Sequence, residues 1–181
     1  IMRKTMLPKD IFEIVEADFA NRDWAIPKFA NCRMRAEEHC YHKKRNPTIY
    51  QIYDEIKRIT NCPGDVLNRY LEKEVRTEKQ FLCARKSMLA FFNSIKDKKE
   101  IYLISDMYLT ADILDDVLHA CGYSGYKEIY VSCEHGCSKN DGLFEEFISE
   151  GKNRQGAIHI GDNENSDGKS AEDAGLDSFL I

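Results

Sequence analysis

The chain has 181 residues, of which 26 are basic and 31 are acidic, and its formal net charge is -5. This length is enough to bury a hydrophobic core, and it suits one domain or a domain with an inserted subdomain. The charge balance gives no electrostatic footprint for nucleic acid, and the absence of a long apolar run or a signal peptide argues against a membrane partner.

Helical periodicity runs through the first half of the chain. Pro8 is placed to begin the first helix, because proline is tolerated in the first turn. Thr48 and Gln51 have the spacing of a capping box at the start of another helix. No stretch before Ile101 has the pattern of a strand. The apolar stripes predict helices over residues 11–19, 29–40, 49–59, 65–75 and 88–95.

From Ile101 onward the pattern changes to strands that alternate with helices. The helices between the strands are expected to be capped by Thr110, by Asn140 or Asp141, and by Ser166 or Asp167. Short apolar runs between helical stretches are typical of strands that are covered on both faces. This alternation predicts an α/β fold with a parallel, doubly wound sheet. The four predicted strands span residues 101–104, 129–131, 158–160 and 178–181.

The loop that follows the third predicted strand carries two carboxylates. Asp162 and Asp167 are separated only by small polar or acidic residues, so their oxygens could converge on a hard cation such as Mg2+. An ordinary polar loop, in which Ser166 or Asp167 caps the next helix, would have the same composition. The stretch alone leaves both interpretations open.

Other polar residues stand directly after the neighbouring strands. Ser105 and Asp106 follow the first strand, and Lys139 lies near the start of the helix after the second. Ligands of open α/β sheets bind outside the carboxyl ends of the strands, so we expect these residues to share one rim with Asp162 and Asp167. A hydroxyl, an ammonium and paired carboxylates around a cation suit a phosphoryl group, because its oxygens carry negative charge.

The order of these residues resembles motifs two, three and four of the haloacid-dehalogenase-like (HAD) hydrolases. The segments concerned are ISDMYLT, SKNDGLF and IHIGDNENSD, and with YVSCEH they are similar to a bacterial subgroup of HAD hydrolases associated with glycosyltransferases. The resemblance implies a HAD-like, Rossmannoid parallel-sheet core over residues 99–181. It also implies an all-helical cap over residues 1–98, inserted before the strand of motif two.

The resemblance assigns a role to each motif residue. Ser105 would hydrogen-bond the transferring phosphoryl group, and Lys139 would neutralise that group and steady the nucleophile. Asp162 would bind Mg2+, while Asp167 would bind it as well or orient the shell around Asp162. Asp106 is expected to be structural. The alternatives are a serine that ends a strand, a surface lysine and acidic helix caps.

The nucleophile that the resemblance requires is missing from the chain. In this family it belongs to a DxD motif at the end of the first strand, and residues 1–3 resemble those that follow that motif directly. No DxD on a strand occurs in the 181 residues. We therefore expect an upstream segment that carries this motif on a central strand. Without it, no strand should lie between the strands that end in Ser105 and Gly161, and the chain as given should turn over no substrate.

Two further segments contain residue types that are common in functional sites. Arg33 and Glu37 lie in RMRAE, which is similar to the cap pattern of the subgroup, so they are candidates for substrate contacts; a solvated helix face with ion pairs is the alternative. The segment CEHGC at residues 133–137 lacks the second ligand pair of a zinc site, and we interpret it as an ordinary loop. The seven cysteines, an odd and scattered set, favour a reducing compartment and a cytoplasmic location.

Two classes of function follow from these features. The resemblance implies a Mg2+-dependent phosphohydrolase acting on a small phosphorylated metabolite, with a sugar phosphate as the first candidate and a glycosyltransferase domain or protein as a candidate partner. The alternative is a non-catalytic module that binds a phosphorylated ligand or docks a glycosyltransferase. A dehalogenase or a phosphomutase is compatible with the same scaffold.

Overall fold

The structure is a computed structural model that describes residues 1–4, 7–43, 45–152 and 156–181. Its first half is helical, as the apolar stripes predict, and the stripes meet in one hydrophobic cluster that includes Val15, Phe29, Ile52, Ile56 and Tyr70. The helices are α1 (Pro8–Phe19), α2 (Phe29–Lys43), α3 (Ile49–Thr60) and α4 (Gly64–Phe81).

The start of α3 has the predicted capping box. The backbone N–H of Gln51 donates to the Thr48 hydroxyl at 3.2 Å, and the Thr48 N–H donates to the Gln51 side-chain oxygen at 3.1 Å. These two bonds satisfy donors that have no partner within the helix. The prediction at this position is confirmed.

A short antiparallel pair of strands joins the two ends of the helical segment. β1 (Met2–Arg3) pairs with β2 (Leu82–Cys83), so the chain enters and leaves the helical segment at the same place. The expectation that no strand precedes Ile101 is therefore wrong. Two-residue strands are too short to leave a period in the sequence, which explains why the pattern does not reveal them.

The second half has the predicted alternation of strands and helices. Each strand begins or ends within one residue of its predicted bounds. The strands are β3 (Tyr102–Ser105), β4 (Glu128–Val131), β5 (Ile158–Gly161) and β6 (Asp177–Leu180). The helices are α5 (Lys86–Ile95), α6 (Ala111–Ala120), α7 (Ser132–His135), α8 (Leu143–Ser149) and α9 (Ser170–Asp173).

Helix α5 packs against the α/β part of the molecule. Its buried Phe92 lies in one cluster with Leu118 of α6 and with Tyr123, and Leu103 of β3 packs against that cluster. The division of the chain at residue 98 stays a prediction, but this packing favours a boundary before Lys86.

The parallel strands form two separate pairs. β3 pairs with β4 in the register Tyr102↔Glu128 to Ser105↔Val131, and β5 pairs with β6. Within the described residues, β3 and β5 bond to no other strand. In these residues the strands that end in Ser105 and Gly161 are not paired with each other, and each has a neighbouring strand on one side only.

Three helix starts differ from the expected caps. Asn163, rather than Ser166 or Asp167, caps a π-helical turn (Glu164–Lys169) that precedes α9, since its Oδ1 accepts the N–H groups of Asn165 and Ser166 at 3.0 and 2.9 Å. Ser166 is thus a donor at this helix start, and the Asp167 carboxylate is engaged elsewhere.

At α6 the side chain of Thr110 makes no capping bond, and the carboxylate of Glu134 accepts the Ala111 N–H at 3.1 Å. Asn140 and Asp141 lie in a 3-10 turn (Lys139–Asp141), and Gly142, with φ 109°, precedes α8. This left-handed backbone is accessible to glycine and costly for other residues. A tertiary contact and a turn therefore replace the two local caps.

The loop after β3 reaches under the helical segment. The carbonyl of Tyr108 accepts the Ile49 N–H at 2.7 Å, the Tyr108 hydroxyl donates to Glu78 at 2.6 Å, and Leu109 is fully buried. These contacts fix the helical segment over the carboxyl end of β3. No helix in the described ranges has the length and apolarity needed to cross a membrane.

Candidate functional site

The carboxylate of Asp167 is the centre of a cluster of polar side chains at the carboxyl ends of the strands, which we call the rim cluster. Its Oδ1 lies 2.5 Å from Lys139 Nζ and 2.9 Å from His159 Nε2, which must be a donor because a carboxylate oxygen only accepts. Its Oδ2 accepts the backbone N–H groups of Asp162 at 3.2 Å and Asn163 at 3.0 Å. An ionised carboxylate has about four acceptor sites, so these contacts use its full capacity.

The partners of Asp167 keep it ionised. Burial disfavours the charged carboxylate, but the hydrogen bonds from His159 and Lys139 outweigh burial and hold the pKa of Asp167 well below its usual range. The Lys139 side chain is itself only 12 % exposed. The result is a fixed ion pair between the loop after β4 and the loop after β5.

A second set of contacts ties the loop after β3 to the loops after β4. The Asp106 carboxylate accepts the backbone N–H of Lys139 at 2.9 Å, and the Ser132 hydroxyl accepts the backbone N–H of Met107 at 3.0 Å. Asp106 therefore has a structural role, as expected. Ser105 ends β3 beside it, partly buried, and its hydroxyl has no hydrogen-bond partner within the described residues.

Asp162 presents its carboxylate to solvent. Its side chain is 64 % exposed, and the Arg85 guanidinium lies 3.4 Å from its carboxylate. A contact of this length between exposed groups is weak and easily displaced. Of the two acidic residues predicted to bind a metal, Asp162 is thus the one with free oxygens.

Gly161 allows the loop to approach Asp167 closely. A Cβ atom on Gly161 would lie 2.5 Å from both Cβ and Oδ2 of Asp167, and real Cβ atoms do not tolerate such contacts. Because Asp167 is held by four hydrogen bonds, it cannot move aside at low cost. The glycine is therefore required by packing against the cluster.

The structure brings Arg33 and Glu37 together as an ion pair on α2. Arg33 is fully buried, donates to Glu37 at 2.7 Å and to Glu74 at 2.9 Å, and its guanidinium is stacked between the rings of Phe12 and Tyr108. Such a buried, fully engaged side chain has no face left for a substrate. The ion pair of the alternative interpretation is present, but a solvated helix face is wrong for Arg33, because this residue is fully buried.

Sequence reasoning missed His159 and Arg85. The sequence Ile158–Gly161 could have indicated His159, because successive side chains of a strand point to opposite faces. A polar residue between two isoleucines therefore lies on the other face of the strand. There it packs edge-on against Phe144 at 4.8 Å and bonds to Asp167. Arg85 lies before α5, 77 positions from Asp162, and no local pattern links them.

The described residues contain no group of three or more histidine, cysteine, aspartate or glutamate side chains that could hold a metal. The CEHGC segment has other partners, because Cys133 donates to the Leu109 carbonyl and Glu134 accepts from Ala111. Residues 133–135 of this segment belong to the short helix α7, so the interpretation as an ordinary loop is wrong for them. All seven cysteines lie in the described ranges, and none of them forms a disulfide bond there.

Comparison with solved structures shows which fold this is. A HAD-family enzyme of Bacteroides thetaiotaomicron aligns over 99 % of this chain and 87 % of its own, with a TM-score of 0.63 and 17 % identity. The chain has a HAD-like fold. The same enzyme in complex with magnesium and inorganic phosphate aligns over 98 % of this chain and 86 % of its own, with a TM-score of 0.62 and 15 % identity.

A third structure has the same HAD-like fold. The HAD-hydrolase YfnB of Bacillus subtilis, bound to magnesium, covers 94 % of this chain and 82 % of its own, with a TM-score of 0.55 and 16 % identity. No protein-family model and no curated protein matches the sequence. At these identities the likeness concerns the fold, and function has to be argued from the site.

Proposed function

We propose that the protein is a Mg2+-dependent phosphohydrolase of the HAD type that acts on a small phosphorylated metabolite. The observation that carries this proposal is the Lys139–Asp167 ion pair, which lies where the loops after β3, β4 and β5 meet. A fixed ammonium at the carboxyl ends of parallel strands suits the binding of an anion. Structural neighbours in complex with magnesium, one of them also with inorganic phosphate, support the same function.

We assign each residue of the site a role that its contacts support. Lys139 neutralises charge on the phosphoryl oxygens, and Asp167 holds its ammonium in place. Ser105, whose hydroxyl is free in the described structure, donates a hydrogen bond to the phosphoryl group. Asp106 fixes the backbone of Lys139. Preorganised donors of this kind stabilise developing charge because they need no reorganisation during the reaction.

The acidic residues differ in their fit to Mg2+. This cation needs one or two protein carboxylates and keeps several waters, and the exposed Asp162 carboxylate meets that need. Asp167 already accepts four hydrogen bonds, which supports the orienting role rather than direct coordination. When bound, the cation would neutralise charge on the phosphoryl oxygens.

The proposal also concerns the source of the nucleophile. The free edges of β3 and β5 leave backbone donors and acceptors without partners in the described residues. We propose that a parallel strand upstream of Ile1 occupies this gap and brings a DxD motif to the rim, where its first aspartate forms an aspartyl-phosphate. Without that carboxylate, the described residues alone would bind a phosphoryl group and not transfer it.

The alternative function depends on the same strand. A non-catalytic module that binds a phosphorylated ligand, or docks a glycosyltransferase, would keep the Lys139–Asp167 pair and lack the first aspartate of the DxD. The identity of the substrate as a sugar phosphate, the glycosyltransferase partner and the cytoplasmic location stay predictions from the sequence.

The experiment compares phosphatase activity in a protein extended to include the upstream strand. We expect hydrolysis of a generic aryl phosphate that depends on added Mg2+. Asp162→Asn should lower turnover at least about a hundredfold, because the metal loses its carboxylate, and it should weaken Mg2+ binding measured by calorimetry. Asp173→Asn, which removes an exposed carboxylate of α9, is the matched control and should leave both unchanged.

Two results would contradict the proposal. Equal turnover by the Asp162→Asn protein and the wild type would exclude Asp162 as the metal ligand. An upstream segment that lacks a DxD, together with phosphate binding but no turnover, would decide for the non-catalytic module.

A further inference from the structure

A groove between α1 and α4 lies on the outer surface of the helical segment. It has a volume of about 490 Å³, within the range of pockets that hold small ligands. Four basic side chains line it, namely Arg22, Arg69, Lys73 and Arg76. The residues on α4 are spaced at i, i+4 and i+7, so they share one face of that helix.

The three arginines of this groove lack acidic partners. Arg22, Arg69 and Arg76 are exposed, and none forms an ion pair within the part of the chain that the structure describes. Elsewhere in this acidic protein Arg33, Arg45, Arg58 and Arg85 each pair with a carboxylate. The groove therefore concentrates uncompensated positive charge.

The two acidic residues of the groove do not cancel this charge. Asp18 forms an ion pair with Lys73, which links α1 to α4 at the side of the groove. Glu72 is the only other carboxylate among its lining residues. Among the described residues, three guanidinium groups outside any ion pair thus share the groove with one such carboxylate, that of Glu72.

An aromatic wall holds one of the guanidinium groups in place. The Arg69 guanidinium lies 5.4 Å from the centre of the Trp24 ring, a distance at which a cation is attracted to an indole face. Trp24 packs in turn against Phe19 at 5.1 Å and against Tyr70 at 6.2 Å. Because Trp24 is wedged in this way, Arg69 loses less conformational freedom when an anion binds.

We propose that this groove binds an oligophosphate anion, with Arg22, Arg69 and Arg76 as its ligands. Guanidinium groups recognise phosphate oxygens through paired, charge-assisted hydrogen bonds. Arg69 and Arg76 are seven residues apart, about 10 Å along the helix axis, so together they fit an elongated anion better than a single phosphate. The site is separate from the rim cluster and does not depend on the function proposed for it.

The test is calorimetric titration of the 181-residue protein with inorganic tripolyphosphate in the absence of Mg2+. Arg69→Ala combined with Arg76→Ala should weaken binding at least about tenfold, since two charge-assisted contacts are lost. Glu72→Gln should tighten binding about two- to fivefold, because it removes an exposed opposing charge. Orthophosphate should bind more weakly than tripolyphosphate, and ATP should bind comparably if the phosphate chain alone is recognised.

Two control variants separate this site from other sources of binding. Lys139→Ala removes the phosphate-binding ammonium of the rim, so the binding that persists in this variant is assigned to the groove. Arg35→Ala removes an exposed arginine on the neighbouring helix α2 and should have no effect. Circular dichroism checks the fold, which we expect to be retained because both replaced arginines are exposed; if the double variant is unfolded, Arg76→Ala and Glu72→Gln decide.

Three outcomes would overturn the proposal. The first is unchanged binding in the Arg69→Ala, Arg76→Ala protein. The second is an equal loss in Arg35→Ala, which would indicate non-specific attraction of anions. The third is binding of duplex DNA with no binding of tripolyphosphate.

Discussion

Arg33 shows at the scale of one residue how burial decides a role. The similarity of RMRAE to the cap pattern of the HAD subgroup suggested a substrate contact, yet the Arg33 guanidinium is fully buried against Glu74 and two aromatic rings. Sequence reveals that a charge is present, but it does not reveal which groups from other helices will enclose that charge. The spacing of four residues to Glu37 was visible, whereas the partner 41 positions away was not.

Replacing Arg33 should test stability rather than binding. Arg33→Met leaves the buried Glu74 carboxylate without its cation, which should lower the free energy of unfolding by about 3–5 kcal/mol. Arg35→Met, two positions away and exposed, should change it by less than about 0.5 kcal/mol. Urea denaturation measures both. A loss in Arg33→Met as small as that in the control would contradict the buried network.

Gly161 gives a second prediction at this scale. Gly161→Ala places a methyl group against the fixed Asp167 side chain and should cost about 1–3 kcal/mol of stability, typical of overpacking. Gly168→Ala is the matched control, because the nearest atoms to its new Cβ belong to the Leu180 side chain at 3.6 Å, an ordinary contact distance. In thermal unfolding, the Gly161→Ala protein should have a lower midpoint temperature than the Gly168→Ala protein. If Gly161→Ala is as stable as Gly168→Ala, Asp167 has more freedom than its four contacts indicate.

At the scale of elements, the contact between α2 and α3 should depend on pH. Glu55 of α3 accepts hydrogen bonds from Arg58 and contacts His39 of α2, and these partners lower the pKa of Glu55 to about 2. A carboxyl group whose pKa is lowered by folding stabilises the protein above its unfolded-state pKa, near 4.3. That stability is lost as the pH falls from about 4.3 toward 2.

Glu55→Gln should remove this contribution. At pH 7 the variant should be less stable by about 1 kcal/mol, a modest value because Arg58 and His39 are largely exposed. The difference from the wild type should shrink between pH 4.3 and pH 2, as followed by chemical denaturation at several pH values. Glu38→Gln, on the exposed side of α2, should show no such dependence. A constant difference at every pH would argue against the low pKa.

The elements that could be predicted from the sequence are those with a local pattern of apolar or capping residues. The stripes of α1 to α4, the capping box at Thr48 and the four parallel strands follow from local periodicity. The β1–β2 pair is too short for a period, and the cap of α6 comes from Glu134, 23 positions away. For the site, position after a strand identified Ser105, Lys139, Asp162 and Asp167, but the contribution of His159 depends on which face of β5 meets the next helix.

At the scale of the whole molecule, no continuous sheet joins the two strand pairs in the described residues; the rim contacts join them, together with the packing of Ile104 of β3 against the cluster of Phe144 and Ala171. If an upstream strand fills the gap, amide hydrogens on the free edges of β3 and β5 should be protected only when that strand is present. Each buried backbone group that gains a partner should contribute about 1 kcal/mol. Hydrogen exchange of the 181-residue chain and of the extended protein measures this, and amides of β4 that bond to β3 serve as the control. Equal protection in both proteins would exclude insertion of a strand.

The β1–β2 ladder has a consequence for how such a molecule can diversify. Met2 and Cys83 are neighbours in space, so the 80 residues between them form an insertion whose two ends meet at the β1–β2 pair. A segment whose two ends already touch can be exchanged or redecorated while the strands it interrupts keep their register. Ligand selectivity and catalytic chemistry can then evolve independently. Substitutions in the helical segment can change which ligand binds, while the residues of the rim are retained.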